Sequence, residues 1–277
     1  MKKLIYVLVA LIFFGTYSCD VIEPPYEEGG KIIIDTTAKK VLLEEFTGFR
    51  CGNCPEAGEV AHGIDNVSDG QVIIMSIHAG DLAIPTPFRT YEFRVKEGLD
   101  IAAFYNLPAT PYGLVNRISY GGSTLLAPST WTTAVGNEMN KTASVKLELN
   151  AGYDEASASI NLKAKMKFLT EGTSNYYMVA YIVEDSIIQY QRDDRQADVH
   201  VLNFVHNHVL RGSMNGTWGD PISAGDIPAG TEIIKELAYT IGEDLDWIPK
   251  QLALIVVVHD NLSKEILQVE KVYLYNK

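Results

Sequence analysis

The chain has 277 residues, with 23 basic against 35 acidic side chains and a formal net charge of −12 at pH 7. No cluster of Lys and Arg interrupts that acidity, which argues against a nucleic-acid partner. The length exceeds one small domain and allows a core that needs no disulfide staples.

The chain opens on Lys2 and Lys3, followed by an apolar run from Leu4 to Phe14. That run is too short to span a bilayer as a stable helix, so residues 1–19 read as an export signal. Small Ser18 directly precedes Cys19, and Gly15-Thr-Tyr-Ser-Cys19 resembles the end of a lipoprotein signal, although Thr16 stands where Leu is usual and Tyr17 is bulky. The resemblance implies that Cys19 becomes the lipid-bearing first residue, through which the chain meets its membrane. Ordinary cleavage near Ser18, leaving Cys19 a free thiol, is the alternative. Three cysteines are an awkward number in an oxidising compartment. If Cys19 carries lipid, Cys51 and Cys54 are left to pair with each other. Residues 20–37, acidic and rich in Pro and Gly, read as a flexible tether. No later apolar run is long enough for a membrane span.

From 38 to 141 strand and helix patterns alternate. Val41–Phe46 reads as a strand that breaks at Thr47-Gly48. Cys51-Gly-Asn-Cys54-Pro55 then opens a helix whose apolar face is Ala57, Val60, Ala61, Ile64 and Val67. Pro55 suits the first turn, and a thiol at a helix start meets unpaired N–H groups that favour thiolate. Gln71–His78 is a second buried strand, and Ala79–Phe88, with Gly80, Pro85 and Pro87, is loop. Tyr91–Asn106 has helical spacing, with Phe93, Leu99, Ala102, Ala103 and Phe104 as expected core contacts. Leu107–Ile118 passes two prolines into a strand, Gly121-Gly122 turns to a short strand at Ser123–Leu126, and Pro128 starts a helix through Met139.

This order resembles the thioredoxin fold, and the likeness reaches individual residues. Cys51-Gly-Asn-Cys54-Pro55 is similar to the redox motif. Tyr105-Asn-Leu-Pro-Ala-Thr-Pro111 is similar to the segment ending in a cis-proline, which implies that Thr110 and Pro111 face the disulfide and hold an extended peptide. Glu45, six residues before Cys51, falls where thioredoxins keep a buried carboxylate. The likeness implies Cys51 as nucleophile, Cys54 as resolving thiol and Glu45 as proton relay. Strand alternation puts one of Glu44 and Glu45 inside and the other outside. Arg50 replaces the usual aromatic residue; it either lowers the thiol pKa or is a solvated surface residue.

From 142 to 277 the period changes to two. Val145, Leu147 and Leu149 alternate with polar residues, and further strand-like runs are Tyr176–Val183, Val201–Leu210, Glu232–Ile241, Leu252–His259 and Glu265–Leu274. These argue an antiparallel β-sandwich, so the expected fold class is an α/β thioredoxin-like domain followed by an all-β domain. His206 and His208, two apart on one strand, share a face but make half a metal site. His78 reads as a buried core histidine. Asp193, Asp194 and Asp198 lack EF-hand spacing and read as a solvated loop. Tyr176, Tyr177, Tyr181 and Tyr190 offer a binding face or pack on the sheet. Neither a metal nor a cofactor is implied, because the cysteine pair alone supplies too few ligands.

Val183-Glu-Asp185 and His206-Asn-His-Val-Leu-Arg211, taken with the chain start and the Leu43–Pro55 block, make the whole chain resemble the outer-membrane-protein-28-related (Omp28-like) family of surface lipoproteins. The resemblance implies an outer-membrane lipoprotein facing the periplasm or the cell surface. Two functions follow as expectations. Either Cys51 and Cys54 exchange disulfides with thiols of envelope or extracellular proteins, or their bond is structural and the chain is a non-enzymatic module for an unidentified surface ligand.

Overall fold

The structure, a computed structural model, describes residues 38–275; the expected signal, Cys19 and tether lie outside the described residues. The first part runs β1 (Val41–Thr47), α1 (Cys54–Asn66), β2 (Val72–His78), α2 (Lys96–Phe104), β3 (Tyr112–Val115) and α3 (Pro128–Met139), with a 3-10 turn at Asp81–Ala83. The second is built from strands: β4 (Val145–Asp154), β5 (Ser159–Phe168), β6 (Tyr176–Glu184), β7 (Ile187–Arg192), β8 (His200–His206), β9 (Val209–Ser213), β10 (Asp220–Pro221), β11 (Glu232–Thr240), β12 (Leu252–Asp260) and β13 (Ile266–Tyr273). Among the described residues no helix is long and apolar enough to cross a membrane.

The change of pattern near residue 142 does not divide the molecule. One large sheet runs β13-β12-β6-β9-β2-β1-β3, with β10 added beside β6, so strands from both parts share it. The described residues belong to one compact unit, within which the period changes at 141/142. β1 and β2 are parallel, β1 and β3 antiparallel, and a bridge from Ser76 to Val209 joins the two parts of the sheet.

Period-two alternation serves two cores at once. On β6, Val179, Tyr181 and Val183 enter a core with Phe46, Met75 and Ile101 of the α/β part. Their neighbours Met178, Ala180 and Ile182 face β4 and β5, through Leu147, Leu162 and Met166. β11, β5 and β4 make a separate three-stranded sheet. A sandwich is therefore present, but one of its layers belongs to the sheet that also carries β1–β3. The other face of β1 and β2 packs Leu43 and Ile74 against Ala61 of α1 and Trp131 of α3.

That burial on both faces corrects the reading of Glu44 and Glu45, since both are buried. Glu44 is held by Arg117 through two bonds of 2.8 and 2.6 Å, and Arg117 also donates to the Tyr181 hydroxyl at 3.0 Å. Removing one partner from such a pair costs about 3–5 kcal/mol, because it strands the other charge away from water.

Other expectations are corrected too. The helix begins at Lys96, not Tyr91. Phe93 instead stacks on His78 with ring centroids 4.1 Å apart, and drags its segment out of helical register. Leu99, Ala103 and Phe104 are exposed, and the helix buries the narrow face of Gly98, Ile101 and Ala102. α1 ends at Asn66, which leaves Val67 exposed. The Val201–Leu210 run splits between two sheets at Asn207–His208, where His208 has φ 57°. His206 and His208 therefore share no strand face. Of the two alternatives for the tyrosines, Tyr181 takes packing on the sheet and is fully buried.

Candidate functional site

β1 and β2 end side by side, with Thr47 opposite His78. β3 starts at the same end: Phe46 pairs with Tyr112, which brings Pro111 opposite Thr47. The chain leaving β1 turns at Gly48, where Cys51 N–H donates to the Gly48 carbonyl at 2.9 Å, and enters α1 at Cys54. Cys51 and Cys54 are bonded, with Cα atoms 5.4 Å apart.

Behind the disulfide lies a small cavity of about 130 Å³, lined among others by Cys54, Glu45, Ser76, His62, His78 and His206. Glu45 reaches it because its neighbour Glu44 points the other way, and Ser76, opposite Glu45 on β2, hydrogen-bonds its carboxyl. Burial outweighs that bond and pushes the Glu45 pKa up to about 8, so the carboxyl is mainly protonated at neutral pH. Burial likewise holds His206 down at about 4, and His78 well below its ordinary value with help from His206 and Arg211. Both imidazoles are thus neutral. Among the described residues, His78 Nδ1 and His206 Nε2 have no hydrogen-bond partner. Burial keeps Glu45 protonated in a cavity that Cys54 also lines.

Thr110 and Pro111 are joined by a cis peptide bond. Their loop lines a groove with Asp81 and Leu82, whose turn in turn touches the cysteine loop: Arg50 N–H donates to the Leu82 carbonyl at 3.1 Å. The Arg50 guanidinium is committed to the Asp81 carbonyl. The fold thus joins Glu45 with Cys54 in one cavity and sets Thr110–Pro111 at the same end of the sheet, next to the Asp81–Leu82 turn.

The remaining side of the site comes from the segment that the sequence marks only as a solvated acidic loop. β7 and β8 pair only with each other, as a hairpin. Beyond a register shift at Gln189–Gln191 its tip meets the cysteine loop. Gln191 Nε2 donates to the carbonyls of Cys51 at 2.9 Å and Gly48 at 3.3 Å. Backbone N–H groups of Arg192 and Asp194 donate to Phe49 O at 2.8 Å and Gly52 O at 3.0 Å. Arg195 binds Glu59 of α1 through two bonds of 2.7 and 2.9 Å. Gly52 leaves room for the tip: a Cβ there would lie 2.1 Å from the Asp194 carboxylate carbon. Cys51 and Cys54 are consequently only 2% and 3% exposed. Asp193, expected in a solvated loop, is buried and held by Arg195. The one sequence signal for this is the mixed charge of Arg192-Asp-Asp-Arg195, which names no target. Among the described residues no group of three His, Cys, Asp or Glu is arranged to hold a metal ion.

Comparisons with known proteins place this geometry in context. The fold is similar to HBP35 of Porphyromonas gingivalis, with a TM-score of 0.66 and 17% identity over 86% of this chain and 76% of that one. It is also similar to protein AGR_C_4864 from Agrobacterium tumefaciens, with a TM-score of 0.51 and 12% identity over 87% of this chain and 96% of that one. No curated protein matches the chain in sequence. The family model described as outer membrane protein Omp28 matches residues 100–277. With that match spanning more than half of its length, the chain belongs to the Omp28 outer-membrane-protein family.

Proposed function

We propose that this is a cell-envelope lipoprotein, anchored through Cys19, whose thioredoxin-like part exchanges disulfides with envelope or extracellular proteins at Cys51–Cys54. The observation that carries the reading is Glu45, a protonated carboxyl in the cavity that Cys54 lines. A structural disulfide has no use for a buried ionisable group, which costs stability wherever it must ionise. An exchange centre does have a use for it. When a partner thiolate attacks Cys51 Sγ, the Cys51–Cys54 bond breaks and Cys54 leaves as a thiolate, taking the Glu45 proton. A second partner thiol then attacks the mixed disulfide and frees Cys51. The partner is oxidised to a disulfide and the cysteine pair is reduced. Run in reverse, Cys51 thiolate attacks a partner disulfide and Cys54 resolves it, returning its proton to Glu45. The Thr110–Pro111 loop at the same end of the sheet is the proposed peptide clamp.

A second reading has its own support. Both sulfurs are covered, as in a structural disulfide of a surface-binding module. The reduction potential separates the two. Exchange catalysts lie between about −270 and −120 mV, and structural disulfides below about −300 mV. We expect a value in the first range for the signal-free protein equilibrated in a thiol redox buffer. A value below the second would make this a stapled scaffold.

A further inference from the structure

The covering of the disulfide is itself informative, because of what covers it. The hairpin tip, Gln191–Val199, presents backbone N–H groups of two residues, Arg192 and Asp194, to carbonyls on either side of Cys51. An extended peptide bound along a sheet end or loop makes contacts of this kind, with main-chain hydrogen bonds supplying affinity. The tip contributes no buried apolar side chain between Gln191 and His200; its buried residues are Gln191 and Asp193. The base of the hairpin is different. There Ile187 packs with Phe49, Phe93 and Val209. A register shift separates the two, where the strand bends toward the cysteines. The hairpin is therefore rooted by apolar packing and closed by polar contacts alone, the pattern of a segment that opens locally while the rest stays folded.

We propose that the tip occupies the surface on which a partner protein's extended segment binds, so that the partner reaches Cys51–Cys54 by displacing Gln191–Val199. This rests on the exchange reading and adds to it the recognition rule. The partner segment supplies N–H donors to the Phe49 and Gly52 carbonyls and places an Arg or Lys against Glu59, the position Arg195 holds within the chain. An acidic protein with a net charge of −12 suits basic segments of this kind.

Glu59→Ala cuts the ion pair that ties the tip to α1 at an exposed position. Arg195→Ala cuts it from the other side and also releases buried Asp193, so Glu59→Ala is the variant that leaves the tip's own contacts intact. Adding Gln191→Ala removes the bonds to Cys51 and Gly48. The readout is the rate at which dithiothreitol reduces the disulfide: its two thiols become a cyclic disulfide while Cys51 and Cys54 become thiols. We expect each single variant to be reduced about two- to five-fold faster than the parent. For the Gln191→Ala/Arg195→Ala variant we expect about ten-fold or more. Hydrogen exchange of the Arg192 and Asp194 amides should accelerate in parallel. Unchanged reduction rates would overturn the proposal, whether or not those amides are released. The failures of the two readings are distinguishable. Faster reduction with a potential in the structural range overturns exchange and the partner's use of this surface with it, leaving the tip only as the cover of a structural disulfide. A catalytic potential with unchanged rates overturns the displacement of the tip alone.

Discussion

Glu45 and the cavity histidines titrate in opposite senses, which gives the site a pH signature of its own. The Glu45 pKa is raised from 4.5 to about 8 by burial, so the folded chain binds a proton that the unfolded chain has released. The stability carried by the protonated form is complete below about 4.5 and is lost as pH climbs through about 8. His78 and His206 are lowered by burial. Their contribution is present above the ordinary histidine pKa and lost as pH falls toward 4. The window above about pH 6.5 therefore isolates Glu45. Between pH 6.5 and 9, urea denaturation of the parent should show stability falling by on the order of 2 kcal/mol, while Glu45→Gln stays nearly flat. Equal slopes would mean that Glu45 is already ionised at neutral pH, and the proton relay would fall with it.

At the scale of elements, α2 shows how a helix can dock with little apolar surface. It meets the sheet at Gly98, where a Cβ would come within 2.9 Å of Ile77 Cγ2. In α3, a Cβ on Gly136 would meet nothing within 4 Å. Alanine is the better helix former by about 1 kcal/mol, so the two substitutions should move in opposite directions. Gly136→Ala should stabilise by about 0.5–1 kcal/mol. Gly98→Ala should destabilise by about 1 kcal/mol once overpacking against Ile77 is included. Urea midpoints measure both, and a stabilising Gly98→Ala would show that the Gly98–Ile77 contact has room for a methyl group. Hydrophobic spacing does not mark this face, because two of its three buried residues, Gly98 and Ala102, are small. Leu99 and Phe104 have the right spacing, yet both are exposed.

For the molecule as a whole, the shared sheet has a thermodynamic consequence. β2 and β9 meet through Ser76 and Val209, and Tyr181 of β6 closes over Arg117 beside β3. Unfolding should therefore be one cooperative transition, with tryptophan fluorescence and far-UV dichroism giving coincident curves. A fragment spanning 38–141 should lack a dispersed NMR spectrum, since Val179, Val183 and Ile255, which complete its core, lie beyond it. Two separated transitions, or a well-folded fragment, would contradict this.

Local chemistry alone was enough for the sequence to determine the helix start at Cys54 and the strands with clear period two. Each of these depends on neighbours within a turn or a strand's length. The place of Glu45 near the cysteines was legible only through the resemblance to thioredoxins. The tertiary structure decided what long-range contacts control. It sent Glu44 to Arg117 and Glu45 to the cavity, because a central strand has no solvent side. It divided Val201–Leu210 between two sheets, because Asn207 and His208 bond to the Asp185–Ser186 turn rather than continuing the ladder. It also laid Gln191–Asp194 over the disulfide. Those contacts join residues about 140 positions apart, a separation at which no periodicity in a sequence carries information.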